Sequence, residues 1–255
     1  MPVDPRHFND HDITPSRLFN SRFYAGYYID NVSMPGFLFE GYLLLRAEDR
    51  VDDQVWTLGT RWQTDRELWS ADWETAVQFG EYGGVHHRGL ALRVGSSYLV
   101  QGLNRTRVGV AYNYGTGDGD PDDGEHWTFD NQYPLNHAYY GCMDLFSLQN
   151  MHNIEATAQT SWRGRTRLRL AYQAFWIDEP EADAWYNAGA GVLRPAFLAD
   201  PRSFVGSEVD VTASHSFGKL MFEIYFSHLL PGGYLADTGA SGATNFAYRM
   251  HRVTF

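Results

Sequence analysis

Apolar and polar residues alternate with a period of two along most of the chain. In residues 107–114 every second side chain is valine or tyrosine, and those between are Arg107, Gly109, Ala111 and Asn113. Such alternation places apolar side chains on one face of a β-strand and polar ones on the other. It recurs in about eleven segments, namely 23–30, 36–46, 55–63, 68–79, 88–95, 107–114, 154–162, 168–176, 209–214, 220–227 and 244–255. The pattern predicts an all-β, antiparallel up-and-down meander of about 11–12 strands.

Segment length and connection length favour a transmembrane β-barrel. Many segments approach the roughly 9–11 residues with which a tilted strand crosses a bilayer. Short connections, at 163–165 and 217–219, contrast with long ones at 98–105, 115–149, 179–203 and 231–243, as is typical of outer-membrane barrels. Aromatic residues lie near strand ends, as an interfacial girdle requires: Trp56, Trp62, Trp69, Tyr114, Trp162 and Trp176. Because barrels of this kind usually have an even number of strands, eleven strands indicate an incomplete barrel.

The connection over residues 128–150 is unusually long and rich in aromatic residues. Connections of this length inside a compact domain are usually functional or disordered, and aromatic side chains supply apolar area for packing. We therefore predict a structured loop that folds over or into the mouth of the barrel and gates it. The candidate gate residues are Phe129, Asp130, Tyr133, Pro134, His137, Tyr139 and Tyr140.

Composition narrows the class of protein. The net charge of -11 argues against a nucleic-acid partner, and mean hydropathy is -0.41 with no stretch resembling a membrane helix. One cysteine excludes an intrachain disulfide framework. The N-terminal residues lack the basic and apolar regions of a signal peptide. We expect one β-barrel domain over residues 1–255, with an irregular segment over 1–18.

Several strings of the chain resemble the C-terminal part of the alginate export family. These are TFDNQYPLNHAYYGCMDLFSLQNM, RWQTDRELWSADWETAVQFGEYGG, DAWYNAGAGVLR, YFSHLLPGGYLADTG and NFAYRMHRVTF. The resemblance implies a β-barrel of the Gram-negative outer membrane, associated with passage of anionic polysaccharide. The family's barrel is larger than this chain can build, so it also implies that N-terminal strands are missing. The last strand departs from the family pattern, because His251 and Arg249 fall where apolar residues are expected, two and four positions before Val253.

Charged residues of the polar face are the candidates for lining a pore. They are Arg46, Arg61, Arg93, Arg107, Arg167, Arg169, Glu40, Asp72, Glu74, Glu155, Glu208, Asp210 and Glu223. Unpaired rings of charge set the selectivity of a pore, and arginine binds carboxylates through charge-assisted hydrogen bonds. The alternative is a structural ladder of cross-strand salt bridges. The sequence does not decide between a pore lined by free charges and a ladder of salt bridges.

Other clusters give weaker signals. The acidic run from Asp118 to Glu125 departs from a calcium-loop pattern and is expected to be a solvated loop tip. His86 and His87 point to opposite faces of a strand and are not expected to share a metal. No nucleophile signature is present. We therefore predict no metal site, no cofactor and no enzymatic activity.

The sequence favours an outer-membrane, porin-like channel for passive passage of solutes, with anionic, alginate-type polysaccharide as the candidate cargo. Its expected partners are outer-membrane lipid and an anionic oligo- or polysaccharide. Two alternatives remain at this level, a carbohydrate-binding β-sheet module that transports nothing, and a non-functional fragment of a split barrel gene. A channel needs its apolar strand faces exposed to lipid, whereas a soluble module must bury them.

Overall fold

The computed structural model describes residues 21–30, 36–48, 53–102, 104–132, 139–197 and 199–254. Eleven strands form one continuous antiparallel meander in chain order. They are β1 Ser21–Asp30, β2 Phe37–Glu48, β3 Asp53–Asp65, β4 Trp69–Tyr82, β5 Val85–Val100, β6 Thr106–Gly115, β8 Met151–Trp162, β9 Thr166–Ile177, β12 Phe204–Phe217, β13 Leu220–Pro231 and β14 Thr244–Val253. The predicted fold class and the position of every predicted strand are confirmed. The predicted irregular segment over 1–18 lies outside the described residues.

Within the described residues, three short strands and one helix with defined ends lie in the connections. β7, Glu125–His126, adds to β5 in parallel, and β10, Trp185–Tyr186, pairs with β11, Val192–Arg194. The helix α1 covers Gly233–Thr238. No helix in the described part of the chain is long and apolar enough to cross a membrane.

The sheet is open along the described strands, because the path ends at β1 on one side and β14 on the other. An odd number of alternating strands makes β1 and β14 run in the same direction. Direct pairing between them would therefore be parallel, unlike every other pair of the meander. The open sheet agrees with the predicted incomplete barrel.

The two faces of the sheet differ as the alternation predicts. Many large apolar side chains on one face, the apolar face, are exposed; examples are Leu90 (38%), Leu170 (48%), Ile224 (62%) and Val110 (64%). The opposite, polar face carries buried residues such as Gln78, Asn113, Glu155 and Gln173. A soluble module would bury the apolar face, so this arrangement disfavours the carbohydrate-binding alternative.

Connections alternate between two rims of the sheet, as they must in a meander. The short-turn rim holds the connections after β1, β3, β5, β8 and β12, and the long-loop rim holds those after β2, β4, β6, β9 and β13. One prediction is wrong here: β5 continues to Val100, so the connection at 98–105 shrinks to a turn on the short-turn rim. The sequence did not indicate the full length of β5, because Gly95, Ser96 and Ser97 interrupt the apolar alternation while the backbone pairing continues.

The last strand inverts the pattern of the others. Arg249 and His251 lie opposite Ile224 and Phe222 on the apolar face. On the polar face the ring of Tyr248 stacks on Tyr225, with 4.2 Å between ring centroids. An edge strand is where charged residues discourage pairing with another chain. The departure from alternation seen in the sequence is therefore a real inversion of the faces.

Candidate functional site

Residues 116–150 connect β6 to β8 and are called the polar-face loop below. The segments around Phe129–Asp130 and Gly141–Met143 lie against the polar face of the sheet. The loop begins at Thr116, whose side chain accepts a hydrogen bond from Leu90 N (3.0 Å) and donates one to Trp127 O (2.7 Å). The carbonyl of Thr116 accepts from Phe129 N and from Asn150 N. Both ends of the loop therefore meet at one residue, which closes it into a compact unit.

The first anchor of the loop is polar and centres on Asp130. The carboxylate of Asp130 accepts from Arg46 Nε (2.8 Å), and Arg46 also reaches Asp53 (2.9 Å). The backbone N–H of Asp130 donates to Gln78 Oε1 (2.7 Å), while Gln78 Nε2 donates to Asp130 O (2.8 Å). Phe129 is buried beside it against Ala76 and Ala91. The side chain of Asp130 is thus fixed to β2 and its backbone to β4.

A histidine pair continues this anchor along β7. Nδ1 of His87 lies 2.9 Å from Nδ1 of His126, so one ring must donate and the other accept. His126 also stacks on Tyr82, with ring centroids 4.2 Å apart. Burial lowers the pKa of His126 below its ordinary value of 6.5. The neutral pair holds β7 onto β5. The sequence did not indicate this contact, since 39 residues separate its members.

The second anchor is apolar. Phe146 stacks on Phe175 of β9 at 3.8 Å between ring centroids, and its ring lies 5.2 Å from that of Trp185. Trp185 Nε1 donates to Leu145 O (2.9 Å). These side chains share a buried cluster with Met151, Ile177, Val205, Leu229, Tyr234 and Leu235. The second half of the loop is therefore part of the main core.

Gly141 brings the loop backbone against β12. Its φ of 86° favours glycine, and an added Cβ would lie 2.5 Å from Glu208 Oε2. Two residues further along, the backbone N–H of Met143 donates a hydrogen bond to Glu208 Oε1 (3.0 Å). Between them the thiol of Cys142 is buried, and burial with the nearby carboxylates Asp210 and Glu208 raises its pKa to about 12. Glu208 and Asp210 are themselves buried beneath this segment.

Most of the predicted arginines form salt bridges across the polar face. Arg61 pairs with Glu40 (3.3 Å), Arg93 with Asp72 (2.9 Å) and Arg169 with Glu155 (2.5 Å), and Arg46 pairs as described above. This is the geometry of the cross-strand ladder. Arg107 differs, because its guanidinium donates to the hydroxyls of Ser70 (3.3 Å) and Ser97 (3.1 Å). Glu74 accepts a hydrogen bond from Tyr42 Oη at 2.8 Å.

A cavity of about 390 Å³ lies between the polar-face loop and β1–β5. Loop residues Phe129, Asp130, Tyr139 and Tyr140 line one side of it. Charged and aromatic side chains of the sheet line the other: Tyr27, Glu40, Tyr42, Arg61, Glu74 and Arg93. The guanidinium of Arg93 lies 4.7 Å from the ring centroid of Tyr139. Of the predicted gate residues, Tyr133, Pro134 and His137 lie outside the described residues.

The acidic tip is only partly as predicted. Asp120, Asp122 and Asp123 are exposed, but Asp118 is buried against the connection after β9. Its backbone N–H donates to Asp183 Oδ2 (3.1 Å), and burial raises the pKa of its carboxyl group. The prediction of a fully solvated tip is wrong for this residue. The reason is the packing of two loops that lie 65 residues apart.

The alginate export family model matches residues 12–248. Among solved structures, the chain is similar to a NanC porin in a rhombohedral crystal form, with 9% identity, 92% of this chain and 94% of that chain covered, and a TM-score of 0.41. A second solved structure is described as "Unveiling the Mechanism Behind the in-meso Crystallization of Membrane Proteins". It is 10% identical in sequence, with 91% of this chain and 75% of that chain covered and a TM-score of 0.40. None of the curated proteins compared with the chain matches it. The family match covers nearly the whole chain, so the chain belongs to the alginate export family of outer-membrane β-barrel channels.

Proposed function

We propose that this channel passes anionic polysaccharide of the alginate type along the polar face of its sheet, and that the polar-face loop gates the path. The observation that carries the proposal is the position of the loop. It crosses the polar face from Arg46 on β2 to Glu208 on β12, where a conduit would run. The lipid-facing side is the exposed apolar face.

The charges accessible along the path favour an anion. Among the described residues, Arg107 donates to two hydroxyl groups and to no carboxylate, so it retains its capacity to bind a carboxylate. Glu208 and Asp210, in contrast, are covered by the loop backbone at Gly141 and Met143 and are less than 2% exposed. Arg93 and Tyr139 at the cavity supply a cation and an aromatic ring of the kind that contacts an acidic sugar.

Current block by oligosaccharides tests the cargo. An oligouronate added to a planar bilayer that contains the channel should reduce the single-channel current, and a neutral oligosaccharide of equal length should not. Arg107→Glu should weaken the block and move the reversal potential toward cation preference, because charged side chains along a pore set its selectivity. Arg249→Gln, which removes an arginine from the apolar face, is the matched control and should leave both unchanged. Equal block by the neutral and acidic sugars would refute the proposed cargo.

A further inference from the structure

One part of each rim of the sheet carries charges of a single sign, and the two signs are opposite. Residues 116–150 of the long-loop rim contain seven carboxylates and neither lysine nor arginine. On the short-turn rim, the turns after β5, β8 and β12 and the end of β14 contain only cations. These define the basic turn patch: Arg105, Arg163, Arg165, Arg167, Lys219 and Arg252. Segments 100–107, 160–168, 214–222 and 250–254 contain no Asp or Glu.

Hydrogen bonds between neighbouring turns make this patch continuous. Thr160 Oγ1 donates to Asn104 O (3.2 Å), which joins the turn after β5 to β8. Ser216 N donates to Arg165 O (2.9 Å), which joins the turn after β8 to the end of β12. Thr254 N donates to Lys219 O (2.9 Å), which joins the turn after β12 to the end of β14. The cations are therefore held side by side on one surface.

The exposed cations of the patch have no carboxylate partner in the part of the chain that the structure describes. Within the described residues, Arg105, Arg163, Arg165, Arg167 and Lys219 are exposed, and none of them forms a salt bridge. Clustered like charges repel each other, and this repulsion lowers stability unless an anion compensates. The arrangement differs from the paired arginines of the polar face and indicates an external anionic ligand.

Exposed aromatic rings border the patch on the apolar face. Tyr98, Trp162 and Phe217 each lie at or near the short-turn end of their strand, and they are 48%, 61% and 62% exposed. The guanidinium of Arg163 lies 5.5 Å from the centroid of the Trp162 ring. Aromatic side chains at this position mark the level of the lipid headgroups. The cations therefore lie beside the headgroup layer, at the edge of the lipid-facing surface.

We propose that the basic turn patch binds the phosphate of anionic phospholipid headgroups, and that Arg163 and Arg165 are its principal contacts. Short turns of outer-membrane barrels face the periplasm, so the ligand belongs to the periplasmic leaflet. Arginine binds phosphate through charge-assisted, bidentate hydrogen bonds. The aromatic border favours a lipid over a soluble polyanion, since a ligand that remains in water would gain nothing from rings directed at the bilayer.

The opposite rim supplies a matched control. Arg88 lies 5.4 Å from the ring centroid of Trp127, nearly the same stacking distance as in the Arg163–Trp162 pair. Arg88 is neutralised by Glu125 at 3.3 Å, whereas Arg163 is not paired in this way. Arg88→Gln therefore removes a comparable arginine–tryptophan stack without removing an available phosphate site.

Lipid titration of the folded full chain in a neutral detergent tests the proposal. Bound short-chain phosphatidylglycerol and phosphatidylcholine are counted by native mass spectrometry. Phosphatidylglycerol should bind more tightly. Arg163→Gln combined with Arg165→Gln should weaken its binding by about thirtyfold, the combined effect of two basic residues that each contribute about 1 kcal/mol near an anionic surface. Arg88→Gln should leave the affinity unchanged. Both exposed turn substitutions should preserve heat-modifiable gel migration.

Three results would overturn the proposal. The first is equal affinity of the wild-type chain for the two lipids. The second is that binding of a soluble oligouronate requires Arg163 and Arg165 while binding of phosphatidylglycerol does not, which would make the patch an entry site for polyanions. A loss of binding in the Arg88 variant as large as in the double variant would also contradict it, because it would show a nonspecific effect of charge.

Discussion

The two anchors of the polar-face loop hold it through different kinds of interaction. Around Asp130 the contacts are ionic and hydrogen-bonded, and they reach strands near one edge of the sheet. Around Phe146 the contacts are aromatic and belong to the main core. Hydrogen-bonded anchors can exchange their partners for water and solute, whereas a packed aromatic core cannot do so without unfolding. We therefore expect the half of the loop near Asp130 to move more readily than the half near Phe146.

The largest expected effect is on stability, and it should differ between the aromatic residues of the two anchors, Phe146 and Phe129. Phe146→Ala should lower the free energy of unfolding by about 3–5 kcal/mol, because it leaves a cavity in the core. Phe129→Ala should cost less, since Phe129 packs mainly on the small side chains of Ala76 and Ala91. Denaturant titration followed by gel mobility measures both. An equal loss of unfolding free energy in the two variants would contradict the distinction between a fixed and a mobile half of the loop.

Arg46 and Asp130 should contribute unequally to the polar anchor. Arg46→Gln leaves Asp53 and Asp130 without their shared cation, whereas Asp130→Asn leaves Arg46 paired with Asp53. We expect Arg46→Gln to lower the free energy of unfolding by about 1–3 kcal/mol and Asp130→Asn to lower it by less, because leaving a buried charge unpaired costs more. The same titration tests this order, and the reverse order would show that Asp53 does not share the cation.

Acid should loosen the polar anchor. The buried His126 has a lowered pKa, so release of the loop is coupled to uptake of a proton. The docked loop is fully stable above pH 6.5, the ordinary pKa, and loses stability as the pH falls below it. Current fluctuations in planar bilayers should therefore increase between pH 7.5 and 5. His126→Asn should flatten this dependence, and an unchanged pH profile in that variant would exclude the histidine pair as its source.

A small effect is expected at the contact between Asp237 and Arg202. Hydrogen bonds from Arg202 lower the pKa of Asp237 to about 2, but both groups are exposed to solvent. Exposed pairs contribute little to stability because water and salt screen them. Asp237→Asn should thus leave the denaturation midpoint nearly unchanged. A large loss would indicate that the loops of this rim depend on the pair.

The sequence was sufficient for the strands, because period-two alternation depends on nearest neighbours. It also located the loop, through its length and aromatic content. It could not decide between a salt-bridge ladder and free arginines, since Arg93 and Asp72 meet only after β4 and β5 align. Asp130 and Arg46 are 84 residues apart, and no local spacing links them. Helix α1 and β10–β11 were missed because they are too short to show a period.

The conductance of an Asp130→Asn channel tests the gating account most directly. Loss of the ion pair with Arg46 should release the polar half of the loop for a larger fraction of the time, although Gln78 still bonds to the backbone of residue 130. Phe146 should keep the base of the loop in place. We predict a higher single-channel conductance than in the wild type, with unchanged heat-modifiable migration, and a further increase when residues 130–140 are deleted. Wild-type conductance in both variants would contradict the account, because the loop would then lie outside the conducting path.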